Sequence, residues 1–280
     1  GCVYLVKLQE ELCLPADISC STNPKSSTGR LDVFSRVISD AGGEFDRVPA
    51  GYAGALYAEI SPRTFSVVVR AGSRLNQARF RRGDATISDA DLLALHKSEV
   101  LVDDTVNIEA GLKLSVDLRG QASHGVIGYR AQRHTDVIDV DSVARYDILD
   151  FWEPIHLRGS GELILDPGQF YILASRETVH IPSSVAAEMV PFDPVVGDFR
   201  VHYAGFFDPG FGSARANGTR ARAVLEVRSF EVPFTLEHGQ TIGRLVFERL
   251  LAEPDTLYGG RIGSNYQSQG LRLSKHFRHV

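Results

Sequence analysis

The chain has 280 residues, 43% of them hydrophobic and 23% charged, with a formal net charge of −5. That is length enough for two domains with separate cores and the composition of an ordinary globular protein, so long disordered stretches are not expected. The acidic balance excludes a general nucleic-acid surface while leaving room for a local anion site, and no run of about eighteen apolar residues could cross a membrane. The three cysteines, Cys2, Cys13 and Cys20, form no CxxC pair and leave an odd thiol. A reducing compartment, and so a cytoplasmic location, is the expectation.

In chain order, short apolar runs bounded by Gly, Pro, Asp or Asn predict strands at Cys2–Val6, Ala55–Ile60 and Phe65–Val69. A helix is expected over Asp89–His96, with Ser88 as N-cap and an apolar stripe of Ala90, Leu92, Leu93 and Leu95. Strands follow at Leu112–Leu118, Leu163–Leu165, Phe170–Ala174, Ala223–Val227 and Thr241–Phe247, with a short helical or irregular piece at Ser142–Asp147. Arg70–Gly72 and Leu236–Gly239 each read as a turn ahead of a strand.

Residues 1–80 overlay residues 168–247 at a constant offset of 167. Gly1, Tyr4, Pro15, Pro24, Glu59, Gly72 and Phe80 fall on Gly168, Tyr171, Pro182, Pro191, Glu226, Gly239 and Phe247. A period this long means two copies of one domain. The expected division is a first repeat at 1–87, a linker with a short helix at 88–110, and a second, complete repeat with a C-terminal tail at 111–280. A strand-rich block precedes the second repeat, so an equivalent segment ahead of Gly1 is also expected.

The copies differ in their polar residues. Asn23-Pro24-Lys25-Ser26-Ser27-Thr28-Gly29-Arg30 offers hydroxyls, backbone N–H groups and two cations, which suits phosphate oxygens; the alternative is a solvated loop. The second copy, Pro191-Phe192-Asp193-Pro194-Val195-Val196-Gly197, has lost both serines and the arginine. That copy instead carries an aromatic run, Val201 to Gly212, closing in an Asp208-Pro209-Gly210 turn. Small residues beside aromatic rings could form a nucleoside slot, or the run could be a hairpin with core aromatics. Glu59 and Glu226 each sit in a strongly apolar strand, where a carboxylate is costly unless paired or poised for proton transfer.

The order Ser26-Ser27-x-x-Arg30, then Asp208-Pro209-Gly210-Phe211-Gly212, then Val224-Leu225-Glu226, then Gly239-x-x-Ile242-Gly243 resembles the dCTP deaminases of the dUTPase-like superfamily. Tyr258, Tyr266 and Gln269 match the spacing of that family's nucleotide-closing tail. The resemblance implies a mainly β protein of two tandem dUTPase-like β-barrel (distorted jelly-roll) domains with few short helices. It implies a dCTP deaminase, converting dCTP to dUTP and ammonia, with the triphosphate accompanied by Mg²⁺ and the chains associated in threes. The family's site lies between subunits, so the working site is expected where one repeat faces the other, within or between chains. Lys25 stands where the family usually has Arg, and Asn265 where its tail usually offers Lys.

Zinc deaminases carry H-x-E and P-C-x-x-C signatures, which this sequence lacks, so no zinc is expected and a positioned carboxylate must take the proton of the attacking water. Glu226 is the expected shuttle and Glu59 the alternative, with Ser26 orienting water and Arg30 stabilising charge. The resemblance further implies that Lys25 and Ser27 meet phosphate, that His202, Ala204, Gly205 and Asp208 line base and sugar, and that Tyr258, Tyr266 and Gln269 close the tail. A dUTPase or a bifunctional deaminase and dUTP diphosphatase is the alternative enzyme, because Ala204-Gly205-x-x-Asp208 also resembles the dUTPase turn. A non-catalytic nucleotide-binding module is the alternative from another class.

Overall fold

The computed structural model of the chain describes residues 2–40, 42–120, 123, 125–157, 159, 161–191, 199–202 (backbone only), 205–216, 218–259 and 264–278. The chain runs through β1 (Tyr4–Cys13), β2 (Ile18–Pro24), α1 (Ser26–Gly29), β3 (Val33–Ser39), β4 (Arg47–Val48), β5 (Ala53–Pro62), β6 (Val67–Val68), β7 (Asn76–Arg82) and α2 (Asp89–Ser98). It continues through β8 (Leu112–Ser115), β9 (Val126–Ala131), β10 (Ile138–Asp139), β11 (Trp152–His156), β12 (Glu162–Leu165), β13 (Phe170–Val179) and β14 (Val185–Pro191). The last strands are β15 (Phe199–His202), β16 (Phe206–Phe207), β17 (Ala221–Ser229), β18 (Phe234–Glu237) and β19 (Thr241–Arg249). The protein is mainly β, as expected, and among the described residues its paired strands are antiparallel except for β6 with β10.

Two compact units form. Unit 1 comprises Gly1–Ala85, Gln132–Phe151 and Ser274–Val280; unit 2 comprises Thr86–Ala131 and Trp152–Leu273. Each holds the same six-strand kernel. Sheet β1-β5-β3 of unit 1 corresponds to β13-β17-β15 of unit 2, and β4-β2-β7 corresponds to β16-β14-β19. The register follows the sequence repeat: Leu5 faces Glu59 as Ile172 faces Glu226, and Cys20 faces Phe80 as Ala187 faces Phe247. The bulge recurs as well, between Lys7 and Glu11 and between Ala174 and Thr178. A one-residue slip would turn every buried side chain outward, so conserving the apolar alternation between the copies conserves their pairing.

Unit 2 adds strands at both sheet edges. There β9 and β11 extend the sheet beyond β13, and β8 extends the other beyond β19. Tyr171 and Ile172 pair with β9 and are 1% and 0% exposed, whereas their counterparts Tyr4 and Leu5 are 56% and 67% exposed on the edge strand β1.

The unit boundaries differ from a contiguous reading of the sequence in two ways. Residues 88–110 pack into unit 2, where Leu92, Leu101 and Val102 join the core. The helix there starts as expected: the Ser88 hydroxyl accepts from the Asp91 amide at 3.2 Å, with Asp89 and Asp91 in the first turn and His96 and Lys97 in the last. Of its stripe, Leu92 alone is fully buried while Leu93 is 39% exposed. Second, residues 132–151, inserted between the paired strands β9 and β11, belong to unit 1 together with the C-terminal residues. The reason is apolar burial: Phe151 packs on Phe65 (5.9 Å), Tyr146 (5.3 Å) and Phe277 (5.5 Å), and β10 pairs in parallel with β6. Residues 142–147, expected to be short helix or irregular, are irregular.

Candidate functional site

In unit 1 the Lys25–Arg30 segment is a single helical turn. The Gly29 amide donates to the Lys25 carbonyl and the Arg30 amide to the Ser26 carbonyl, both at 3.0 Å. It is not a solvated loop: Ser27, Thr28 and Arg30 are 7%, 3% and 3% exposed, and Lys25 and Ser26 are half-buried. The strand of β-branched and turn residues ends at Pro24, and the turn is then tied down by the Thr28 hydroxyl, which donates to the Leu75 carbonyl at 2.8 Å, and by the Lys25 amide on the same carbonyl at 2.9 Å. Two residues after Arg30, Asp32 adopts φ +54, a left-handed conformation that costs a non-glycine residue free energy and is held here by Thr64, whose hydroxyl donates to the Asp32 carboxylate at 2.6 Å.

Charge at this turn is positive. Burial lowers the Lys25 pKa below its ordinary value, and Lys275 and Arg74 push it the same way. Lys25, Ser26, Ser27 and Arg30 therefore stand on one turn with two further cations acting on it, a donor set suited to phosphate oxygens.

The two glutamates differ. Glu59 on β5 is bound to Arg36 on the neighbouring strand β3 at 2.8 Å, and the Arg36 guanidinium lies 3.9 Å from the centre of the Phe45 ring. Glu226 lies on β17, inside the five-stranded sheet, and is 5% exposed. Its cross-strand neighbours are Ile172 on β13 and His202 on β15, the position that corresponds to Arg36.

In unit 2 the turn Asp208–Gly212 is built tightly. Gly210 and Gly212 have φ +94 and +66, and a Cβ on Gly212 would lie 2.1 Å from the Val179 carbonyl oxygen. Phe207 and Phe211 are core side chains, 7% and 5% exposed, with rings 5.1 Å apart. Within the described part of the aromatic run, Phe207 and Phe211 thus serve the core. Gly205 accepts at its carbonyl from the Met189 amide at 3.0 Å. Ala204 lies outside the described residues, as does the second copy's 192–198 segment, and for His202 the backbone alone is described.

The tail packs against this turn. The Tyr258 amide donates to the Pro209 carbonyl at 2.8 Å and the Tyr258 ring sits 5.7 Å from Phe211. Tyr266 is 6% exposed. Gln269 pairs with the backbone of Arg222: its side-chain nitrogen donates to the Arg222 carbonyl at 2.9 Å, and its main-chain carbonyl accepts from the Arg222 amide at 2.8 Å. Gln267, which the sequence reading passed over, holds the turn instead. Its oxygen accepts from the Gly212 amide at 3.0 Å, and its nitrogen donates to the Gly210 carbonyl at 2.9 Å and the Tyr258 carbonyl at 3.3 Å. The available signal was a second glutamine two residues before Gln269 in a segment without helical pattern.

Among the described residues no group of three or more His, Cys, Asp or Glu side chains is placed to hold a metal ion, and no helix is long and apolar enough to cross a membrane.

The family model for the 2'-deoxycytidine 5'-triphosphate deaminase C-terminal domain matches residues 88–277, and that for the N-terminal domain matches residues 1–84. The chain is similar to a dCTP deaminase of Haloarcula marismortui, 29% identical over 196 residues that cover 68% of this chain and 93% of that protein. It is similar to a dUMP-forming dCTP deaminase of Streptomyces coelicolor, 30% identical over 159 residues that cover 55% of this chain and 75% of the other. Among solved structures it resembles the 2'-deoxycytidine 5'-triphosphate deaminase from Agrobacterium tumefaciens, with a TM-score of 0.86 and 61% identity over 91% of this chain and 76% of that one. With both family domains matched in order along its length, the chain belongs to the 2'-deoxycytidine 5'-triphosphate deaminase family, a family of enzymes.

Proposed function

We propose that the chain deaminates dCTP hydrolytically to dUTP and ammonia, with Glu226 as proton shuttle and no metal on the attacking water. The observation that supports this most is a carboxylate 5% exposed on the interior strand β17, in a chain matched by both deaminase family domains. Water adds to C4 of the cytosine as Glu226 takes its proton, and the proton passes to N3. The C4–N4 bond then breaks, the amine leaves as ammonia with a proton returned through the same carboxyl, and a C4 carbonyl remains. Ser26 orients the water, Arg30 stabilises charge near the base, Lys25 and Ser27 meet phosphate oxygens, and His202, Ala204, Gly205 and Asp208 line base and sugar. Tyr258 and Tyr266 belong to the tail that closes over the nucleotide, with Gln269 fixing that tail to β17. The groups acting on Lys25 are cations, so Mg²⁺ fits as the counter-ion that travels with the triphosphate and not as an ion held by carboxylates at this turn. Threefold association of the chain is part of the same reading and is measured by light scattering.

The test follows ammonia and pyrophosphate separately with dCTP, dUTP and CTP plus Mg²⁺. Glu226→Gln should lower ammonia release by about 10²–10⁴-fold while nucleotide binding stays within a few-fold. Full activity in that variant, with loss in Glu59→Gln, would move the shuttle to the first repeat. A second reading is a dUMP-forming enzyme, favoured by the name of the Streptomyces coelicolor relative; pyrophosphate released from dCTP in step with ammonia, and lost in Asp208→Asn, selects it.

A further inference from the structure

The C-terminal residues of the chain end on unit 1, beside the turn that carries Lys25, Ser26 and Ser27, and they are fixed there by hydrogen bonds that the deamination chemistry does not use. Ser274 and His276 are 0% and 1% exposed. The Ser274 hydroxyl, whose single proton goes to one acceptor at a time, stands 2.9 Å from the Ser27 carbonyl oxygen and 2.9 Å from His276 Nδ1. The His276 ring sits between the Ser274 hydroxyl and the Val140 carbonyl, 2.9 Å from each. The backbone is held too, with the Ala144 amide on the Lys275 carbonyl at 2.9 Å and the Arg145 amide on the His276 carbonyl at 2.9 Å. Phe277, 0% exposed, closes the segment into the aromatic cluster of Tyr146 and Phe151.

Lys275 is the half-buried residue between these two buried anchors. Its neighbour Ser274 is bonded to Ser27, and on another segment the residue after Arg74, Leu75, receives both the Lys25 amide and the Thr28 hydroxyl on its carbonyl. Three chain segments far apart in sequence thus each deliver a cation to one turn, and Lys275 and Arg74 both act electrostatically on Lys25. Bringing like charges together opposes folding. A polyanion bound among them reverses the sign, since each charge-assisted hydrogen bond to a phosphate oxygen is roughly twice as strong as a neutral one. A lysine held at both neighbouring residues also loses less freedom when it binds.

We propose that Lys275, positioned by Ser274 and His276, binds the polyphosphate of the nucleotide together with Lys25 and Arg74, so that the last residues of the chain complete the phosphate end of the first-repeat site. This rests on the nucleotide triphosphate reading above, and its test separates the two. Inorganic tripolyphosphate is the probe, and binding to the whole protein is followed by calorimetry at low salt, which requires no turnover. Lys275→Gln should weaken tripolyphosphate binding tenfold or more and raise the dCTP KM by a similar factor with kcat within threefold, whereas Lys275→Arg should bind within threefold of the parent protein. Ser274→Ala, which keeps the lysine and removes its tether, should weaken binding by less. An unchanged affinity in Lys275→Gln, equal losses in the Gln and Arg variants, or no tripolyphosphate binding by the parent protein each overturns the proposal. If the parent protein releases no ammonia from dCTP, the deaminase reading falls and the tripolyphosphate result alone decides on Lys275.

Discussion

Gly212→Ala tests whether the Asp208–Gly212 turn is as tightly built as its geometry requires. The residue has φ +66, where an alanine costs about 1–2 kcal/mol. The new Cβ would also meet the Val179 carbonyl oxygen at 2.1 Å, with the Ala221 nitrogen at 3.1 Å, so backbone at the end of β13 or the start of β17 must move. Relieving such overpacking costs about a further 1–3 kcal/mol, for a total of roughly 2–5 kcal/mol. In a unit of this size that corresponds to a melting temperature lower by roughly 5–20 °C. The protein's single tryptophan, Trp152, is 0% exposed and lies in unit 2, so its fluorescence during thermal or urea unfolding reports on the affected unit. Gly270→Ala is the control, because a Cβ there meets nothing within 4 Å. A Gly212→Ala midpoint within 1 °C of the parent, or an equal loss in Gly270→Ala, would refute the reasoning.

Gln267→Ala removes three hydrogen bonds, two to the same turn and one to the Tyr258 carbonyl, and should cost about 1–3 kcal/mol in unit 2, seen by Trp152 fluorescence, and raise the dCTP KM more than it lowers kcat. Arg36→Met leaves Glu59, 22% exposed, without its ion-pair partner. The expected loss is about 1–3 kcal/mol, and the double variant Arg36→Met with Glu59→Gln should recover part of it in a double-mutant cycle. Burial lowers the His276 pKa, an effect that Lys275 reinforces and that the Val140 carbonyl, Asp139 and Asp141 oppose. The folded ring is therefore neutral near pH 7, and its contribution is fully present above the unfolded value of about 6.5. As pH falls below that value the unfolded chain takes up the proton first, and stability declines towards the lowered folded pKa. Hydrogen exchange at Val67 and Ile138 should show unit 1 loosening between pH 7 and pH 5.5 in the parent protein and less so in His276→Gln; equal loosening in both would remove His276 as the cause.

The strand pairing was largely legible in the sequence, because alternation and the offset of 167 encode it locally. Aligning Leu5 with Ile172 and Glu59 with Glu226 already sets both registers, and the sheets follow them. The Ser88 cap was equally readable, since a cap depends on residues three apart. The turn at Lys25–Arg30 was singled out by its residue types, but its helical form and its burial were not. Those depend on Leu75 and Ser274, which lie far along the chain from Thr28 and Ser27.

By itself the sequence determined that there are two copies, which strands pair in each, and which copy keeps Lys25, Ser26, Ser27 and Arg30. Tertiary structure alone decided that residues 132–151 and the C-terminal segment complete unit 1, because Phe65, Phe151 and Phe277 find burial there that no local pattern records. It decided as well that Glu59 is bound to an arginine while Glu226 faces His202 in register, and that Gln267 rather than Gln269 secures the turn. Periodicity is a property of neighbours along the chain, whereas the partner of a buried charge or amide is settled only when distant segments compete for the same enclosed space.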